Sequence, residues 1–272
     1  TYYYRGNIKN NNVYFAGFYW QIVRINGDGS IRLMYNGTEK NATSTKQSIN
    51  NRTYQFNSNY NDPTYVGYMY GDKDGTTFAE VHNNTNDSAI KSAIDSWYKT
   101  NIVDKGYSNY ISNTVGFCGD RTLTGGDGIS TNVYSYFEPF KRYQTKSPQF
   151  TCPNKERDLY TTTDSNIGNK VLTYPVGLVT YDELVFAGMD FDHANKLAWV
   201  YSTKHYWTMS PSFFNAASGI AGEWSQDSAG YLSRWWGVNV SLGARPVINL
   251  KSDTLITGGI GTANDPFVVE TN

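Results

Sequence analysis

Cys118 and Cys152 are the only two cysteines in the 272 residues. In an oxidising compartment such a pair closes a disulfide, and a loop of this size would stabilise the fold by roughly 3 to 4 kcal/mol through the entropy removed from the unfolded chain. The alternative is two unpaired thiols or half of a metal site. It is disfavoured because there is no Cys-x-x-Cys spacing and the nearest histidines, His82 and His193, lie more than thirty residues away. Oxygen ligands for a cation are offered most densely by Asp190 and Asp192 with Glu183 upstream, and more weakly by Asp72 and Asp74. Acid pairs that follow a helix are more often simply solvated, so no metal site and no cofactor are assigned. There is no Gly-x-Ser-x-Gly elbow, phosphate loop or His-Glu-x-x-His. A pair of carboxylates for glycoside hydrolysis stays open, because its spacing exists only in three dimensions.

The other chemistry on offer is recognition. Between Tyr206 and Gly237 lie four of the seven tryptophans, among Ser, Asn and Gly. Rigid rings beside short polar side chains give contact area at low entropic cost together with adaptable hydrogen bonding. Trp20, Trp97, Trp199 and Trp207 stand beside apolar neighbours on periodic segments and belong to the core. Trp224, Tyr231, Trp235 and Trp236 stand among Gly, Ser, Asp and Arg where alternation is poor, and about half of them should face solvent. If the segment is extended, one of the adjacent Trp235 and Trp236 must point inward. Arg234 can stack on a ring or pair with a ligand carboxylate, or be an ordinary surface charge. Arg245, inside a closing strand, is expected to be structural.

Bulk composition narrows the partners. Lys plus Arg (23) nearly cancel Asp plus Glu (24), and no basic run could neutralise a phosphate backbone, so nucleic acid is excluded as a partner. No apolar run approaches the roughly 20 residues that span a bilayer. Residue 1 is already strand-like, with neither an initiator Met nor a signal peptide, which predicts a mature or trimmed fragment with any anchor outside it. Helix formers are scarce, and 23 Tyr with abundant Asn, Thr, Ser and Gly favour strands and polar loops.

The elements that must position these residues follow from local signals. Phe18 to Ile25 and Ile31 to Tyr35, around Asn26-Gly-Asp-Gly29, read as a β-hairpin. Residues 36–86 read as long loops with one short strand at Thr64 to Tyr70. Ile90, Ile94 and Trp97 predict a helix capped by Asn86 or Asp87 and ended by Gly106. Residues 106–170 read as a long irregular excursion pinned by the disulfide. Thr180-Tyr-Asp-Glu183 is a capping box that opens a short buried helix. Strands are expected at His205 to Met209, Ala244 to Leu250 and Pro266 to Glu270, the second an edge strand or bulge because of Pro246. No repeat or linker divides the chain, so residues 1–272 are read as a single domain.

Five ordered blocks carry a family resemblance: Tyr19-Trp-Gln-Ile-Val-Arg-Ile-Asn-Gly-Asp-Gly-Ser-Ile-Arg32, Ile90-Lys-Ser-Ala-Ile-Asp-Ser-Trp-Tyr-Lys99, Gly177-Leu-Val-Thr-Tyr-Asp-Glu-Leu184, Tyr206-Trp-Thr-Met-Ser-Pro211 and Ala244-Arg-Pro-Val-Ile-Asn-Leu250. They resemble surface domains of Gram-positive bacteria, often carried behind a pilin-like or membrane-anchoring helix. The resemblance implies an α+β, C-type-lectin-like fold of the formylglycine-generating-enzyme variety, with twisted antiparallel sheets, two main helices and long loops. The C-terminal pattern is also similar to retroelement-diversified ligand-binding proteins, whose variable residues sit on loops between such strands. The calcium triplets of ordinary lectins of this fold are absent, and no thiol follows Cys152 to serve as a formylglycine-generating cysteine pair, so the resemblance carries fold and not activity. It implies an extracellular adhesion module on a cell surface or pilus. Phe213, Phe214, Asn215, Trp224, Tyr231, Arg234, Trp235 and Asn239 would hold a protein or glycan ligand. A cell-surface carbohydrate-active enzyme and a structural pilus subunit are the alternatives.

Overall fold

The structure is a computed structural model that describes residues 1–271. The hairpin forms as its turn predicts: Phe18–Ile25 pairs antiparallel with Ile31–Tyr35, and the Asp28 carboxylate accepts from the Ser30 amide at 3.0 Å across the turn. Around it grows a seven-stranded sheet in the order Val247–Leu250, Ile31–Tyr35, Phe18–Ile25, Asn12–Phe15, Phe267–Val269, Ile256–Gly258, with Tyr2–Tyr3 also on Phe18–Ile25. Val247–Leu250 ends this order directly after Pro246, where a missing N–H costs least. The chain's first and last strands therefore share one sheet.

A second seven-stranded sheet runs Leu232–Ser233, Ile220–Gln226, Tyr206–Asn215, Ser135–Phe137, Leu123–Gly125, with Ser241–Gly243 joining Tyr206–Asn215 to Thr53–Gln55. Its central hairpin changes register on both sides of Pro211, a bulge that accommodates a residue unable to donate to the ladder. The first nine residues of Tyr206–Asn215 are all buried, as are the last six of Ile220–Gln226. One apolar core runs through both sheets and includes Trp20, Trp97, Trp199 and Trp207.

The Ala89–Tyr98 helix buries Ile90, Ile94 and Trp97, but its cap is Ser88, whose hydroxyl accepts from the Lys91 amide. Asn86 and Asp87, expected to cap it, pair instead with Met69–Tyr70 as a two-stranded ribbon. Only that end of the strand expected over Thr64 to Tyr70 is extended, since Pro63–Tyr65 is a single 3-10 turn. The expected irregular excursion over 106–170 is corrected more deeply. It contributes Leu123–Gly125 and Ser135–Phe137 to the second sheet and then the Glu138–Thr145 helix, started by Pro139 and stopped by Lys146 in the left-handed region. The capping box of Tyr181–Phe186 is complete, with Thr180 and Glu183 satisfying each other's amides. Cys118 and Cys152 are bonded. No described helix is long and apolar enough to cross a membrane.

Candidate functional site

The Ile220–Gln226 strand carries Trp224 into the core, fully buried, with its ring 4.4 Å from Tyr181 and 5.9 Å from both Tyr143 and Phe191. Phe191 bridges outward, 4.7 Å from Tyr143 and 6.3 Å from Trp235. Trp235 is 63% exposed. Its neighbour Arg234 lays its guanidinium 3.8 Å from the Trp235 ring centre and 4.6 Å from that of Phe140. Burial lowers the affinity of this guanidinium for its proton, and no carboxylate among the described residues answers it. Its Nε is buried without a hydrogen-bond partner, and no side-chain hydrogen bond or ion pair of Arg234 occurs among the described residues.

Charged groups flank the stack. The Asp190 carbonyl accepts from the Leu232 amide at 2.7 Å, which ties the 190–192 loop to the strand leading into Arg234. Asp192 accepts from Tyr143 Oη at 3.0 Å and from Lys146 Nζ at 2.6 Å. The Lys146 ammonium holds the Asp192 carboxyl below its usual range; at Asp190, burial pushes upward but the Asp192 amide and Lys146 outweigh it. The arrangement is an exposed platform of two stacked planar groups edged by carboxylates, an ammonium and a phenol. It can stack on an apolar face and hydrogen-bond around it.

The structure thus brings Arg234 and Trp235 together and places Trp224 beneath them. The expected exposure of three residues is corrected. Trp224 and Phe214 have no accessible surface, and Phe213 is buried with its ring so close over Gly222 that a Cβ there would lie 2.7 Å from it. None of these three can touch a ligand in this state. Asn215 closes its own turn by accepting from the Ala217 and Ser218 amides. Tyr231 follows an Asp227 turn, and the Asn239 carbonyl accepts from Gln55 at a strand edge. Trp236 turns away from Trp235 and packs edge-on against His205. Phe140, Tyr143, Lys146 and Phe191 were missed. Phe140 and Tyr143 lie on the helix that Lys146 ends, and the available signal was Glu138-Pro139 followed by rings at a spacing of three.

The weighed metal ligands are engaged elsewhere. Glu183 faces Arg24 and Arg32, Asp190 and Asp192 face Lys146, and Asp74 faces Lys73. Asp72 accepts the Asp74 amide. Among the described residues no group of three His, Cys, Asp or Glu is placed to hold a metal ion. Arg245 is structural as expected, donating to the Tyr35 and Val200 carbonyls and to Gln21 and Asn36.

A cavity of about 330 Å³ lies beside the disulfide and had no sequence signal. A register shift between Ile22 and Arg24 sets Arg24 opposite Arg32 in the first sheet. Both guanidiniums approach one carboxylate oxygen of Glu183, off the hydrogen-bond direction. Burial and the neighbouring Arg24 bring Arg32 down to about 10 in spite of Glu183. Across the cavity Arg142 makes a two-point contact with Asp182, both bonds 2.8 Å, and also meets Asp120. These carboxylates raise Arg142 against the effect of burial. Asp120 has a positive φ of 31° and a buried Oδ1 without a partner.

Comparison of the chain with protein-family models, with curated proteins and with solved structures finds no match.

Proposed function

We propose that the protein is a non-enzymatic recognition module, displayed outside the cell on a cell surface or pilus, that binds a protein or glycan through the Arg234–Trp235 stack. A C-type-lectin-like scaffold of the kind carried by Gram-positive surface domains is part of the same reading. The observation that carries it is Arg234 itself. A guanidinium pressed between Trp235 and Phe140, with no acceptor of its own among the described residues, is pre-ordered and has its hydrogen-bonding edge unspent. Arg and Trp on a rigid floor are the residues that dominate measured binding interfaces. Trp224, Tyr143 and Phe191 supply that floor.

The disulfide supports export, because such bonds persist in oxidising compartments. The cavity carboxylates weigh against a glycosidase: Asp120, Asp182 and Glu183 are each held by a guanidinium. Screening the purified protein on glycan and protein arrays identifies the ligand. Affinity for that ligand is then measured in Trp235→Ala and Arg234→Ala. Each substitution should weaken binding by about 2 kcal/mol, roughly 30-fold. Unchanged affinity in both variants would show that the ligand binds elsewhere.

A further inference from the structure

Charge is unevenly answered around the cavity. At one end Arg142 is met by two carboxylates, Asp120 and Asp182. At the other, Arg24 and Arg32 stand directly opposite each other and share only Glu183. Two like charges placed across a sheet repel, and a single carboxylate neutralises one of them. Glu183 is also committed to its own helix, where Oε2 accepts the Thr180 amide at 2.9 Å. Lys155 adds a further positive charge to the lining and has no carboxylate partner among the described residues.

Arg24 is the group left over. Its guanidinium lies 4.7 Å over the Phe150 ring, which fixes its plane, and only Nε reaches Glu183, at 3.2 Å. No hydrogen bond from its two terminal nitrogens is found among the described residues, and neither nitrogen is a buried, unpartnered atom as Nε is. Phe150 is itself stacked on Phe186, with ring centres 4.0 Å apart, so the support is rigid. A flat guanidinium held by a ring, with a free two-pronged edge in the lining of a half-open cavity, matches the geometry of a carboxylate or phosphate. Asn26, Thr114, Thr151 and Ser210 add neutral polar groups to the lining. At about 330 Å³ the space suits a small organic anion and is too small for a polymer.

We propose that the cavity beside the Cys118–Cys152 bond is a binding site for a small anion, whose carboxylate or phosphate group is held by the terminal nitrogens of Arg24 with Lys155 as a second cation. The site is separate from the Arg234–Trp235 platform and would stand if that platform had no ligand.

The test is calorimetric titration of the oxidised protein at pH 7 with inorganic phosphate and, separately, with citrate, against sodium chloride of matched ionic strength. Thermal unfolding is followed in parallel, because an anion that binds only the folded state raises the midpoint. Saturable binding of either probe beyond the chloride control is expected, and which probe binds more tightly assigns the anion class. Arg24→Gln and Lys155→Gln should each weaken it, the first by about tenfold or more. Lys155 is exposed, so its variant reports on binding even if the Arg24 variant folds poorly. Absence of saturable binding of both probes, or equal affinity in wild type and Lys155→Gln together with a folded Arg24→Gln, overturns the proposal.

Discussion

Removing the Cys118–Cys152 bond tests both the fold's dependence on oxidation and the cavity's rigidity. The bonded cysteines are 34 residues apart, and closing a loop of that length removes about 12 to 13 cal/mol/K from the unfolded chain, or about 4 kcal/mol at 25 °C. With an unfolding entropy of about 2.1 cal/mol/K per residue, a chain of this length should lose roughly 7 °C in melting temperature. Cys118→Ala/Cys152→Ala and reduced wild type should coincide, both in urea titrations and in calorimetric melts. The same change frees the segment that carries Gln149, Phe150 and Thr151, all in the cavity lining, from the strand beside Asp120. A stability loss below about 1 kcal/mol would refute the entropic reasoning, since the linked loop would then be held equally well by Leu159–Tyr160 pairing with Phe117–Cys118.

Glu223 is fully buried, and desolvation raises it well above its ordinary value of 4.5 against the pull of the Gly67 amide and Arg121. The folded state therefore keeps its proton to higher pH than the unfolded chain does, so its contribution is fully favourable below pH 4.5 and is lost as pH rises toward the folded value. In that window stability should fall by up to about 1.4 kcal/mol per pH unit, and urea titrations of Glu223→Gln should show this part of the slope removed. Trp224→Ala should cost about 3 to 5 kcal/mol of stability by opening a cavity beneath the platform. Trp235→Ala should stay within about 0.5 kcal/mol, and equal losses in the two variants would contradict their assigned places.

The parts of the fold that were legible are those written in neighbouring residues. Asn26-Gly-Asp-Gly29 between two alternating runs specifies its hairpin, and Thr180 with Glu183 specifies a helix start, because both signals act within a few residues. Ile90, Ile94 and Trp97 mark a buried helix face for the same reason. Trp224 was misplaced because its strand is buried on both faces yet carries Gly, Glu, Ser and Gln. Polar residues among rings resemble a solvated loop until their partners are known. Here Glu223 accepts the Gly67 amide, Gln226 accepts the Ser202 amide, and Thr208 donates to the Trp224 carbonyl, all across long sequence separations or between strands. The charged cavity was hidden by the same cause. Nothing local to Arg24, Asp120, Arg142 or Glu183 records that they converge.

The Glu138–Thr145 helix joins the two candidate sites. Arg142 points into the cavity and grips Asp182, while Phe140 and Tyr143 on the same helix support Arg234 and Trp224. Tyr181, next to Asp182, also packs on Trp224. A helix of eight residues has too little length for these contacts to move independently, so its seating against Asp182 and its seating beneath Arg234 are one mechanical event. Loss of the Arg142 contact would leave two carboxylates buried without their cation and disturb the helix whose Phe140 backs Arg234. The insertion that sequence alone presents as an irregular excursion is therefore the segment on which both the platform and the cavity depend.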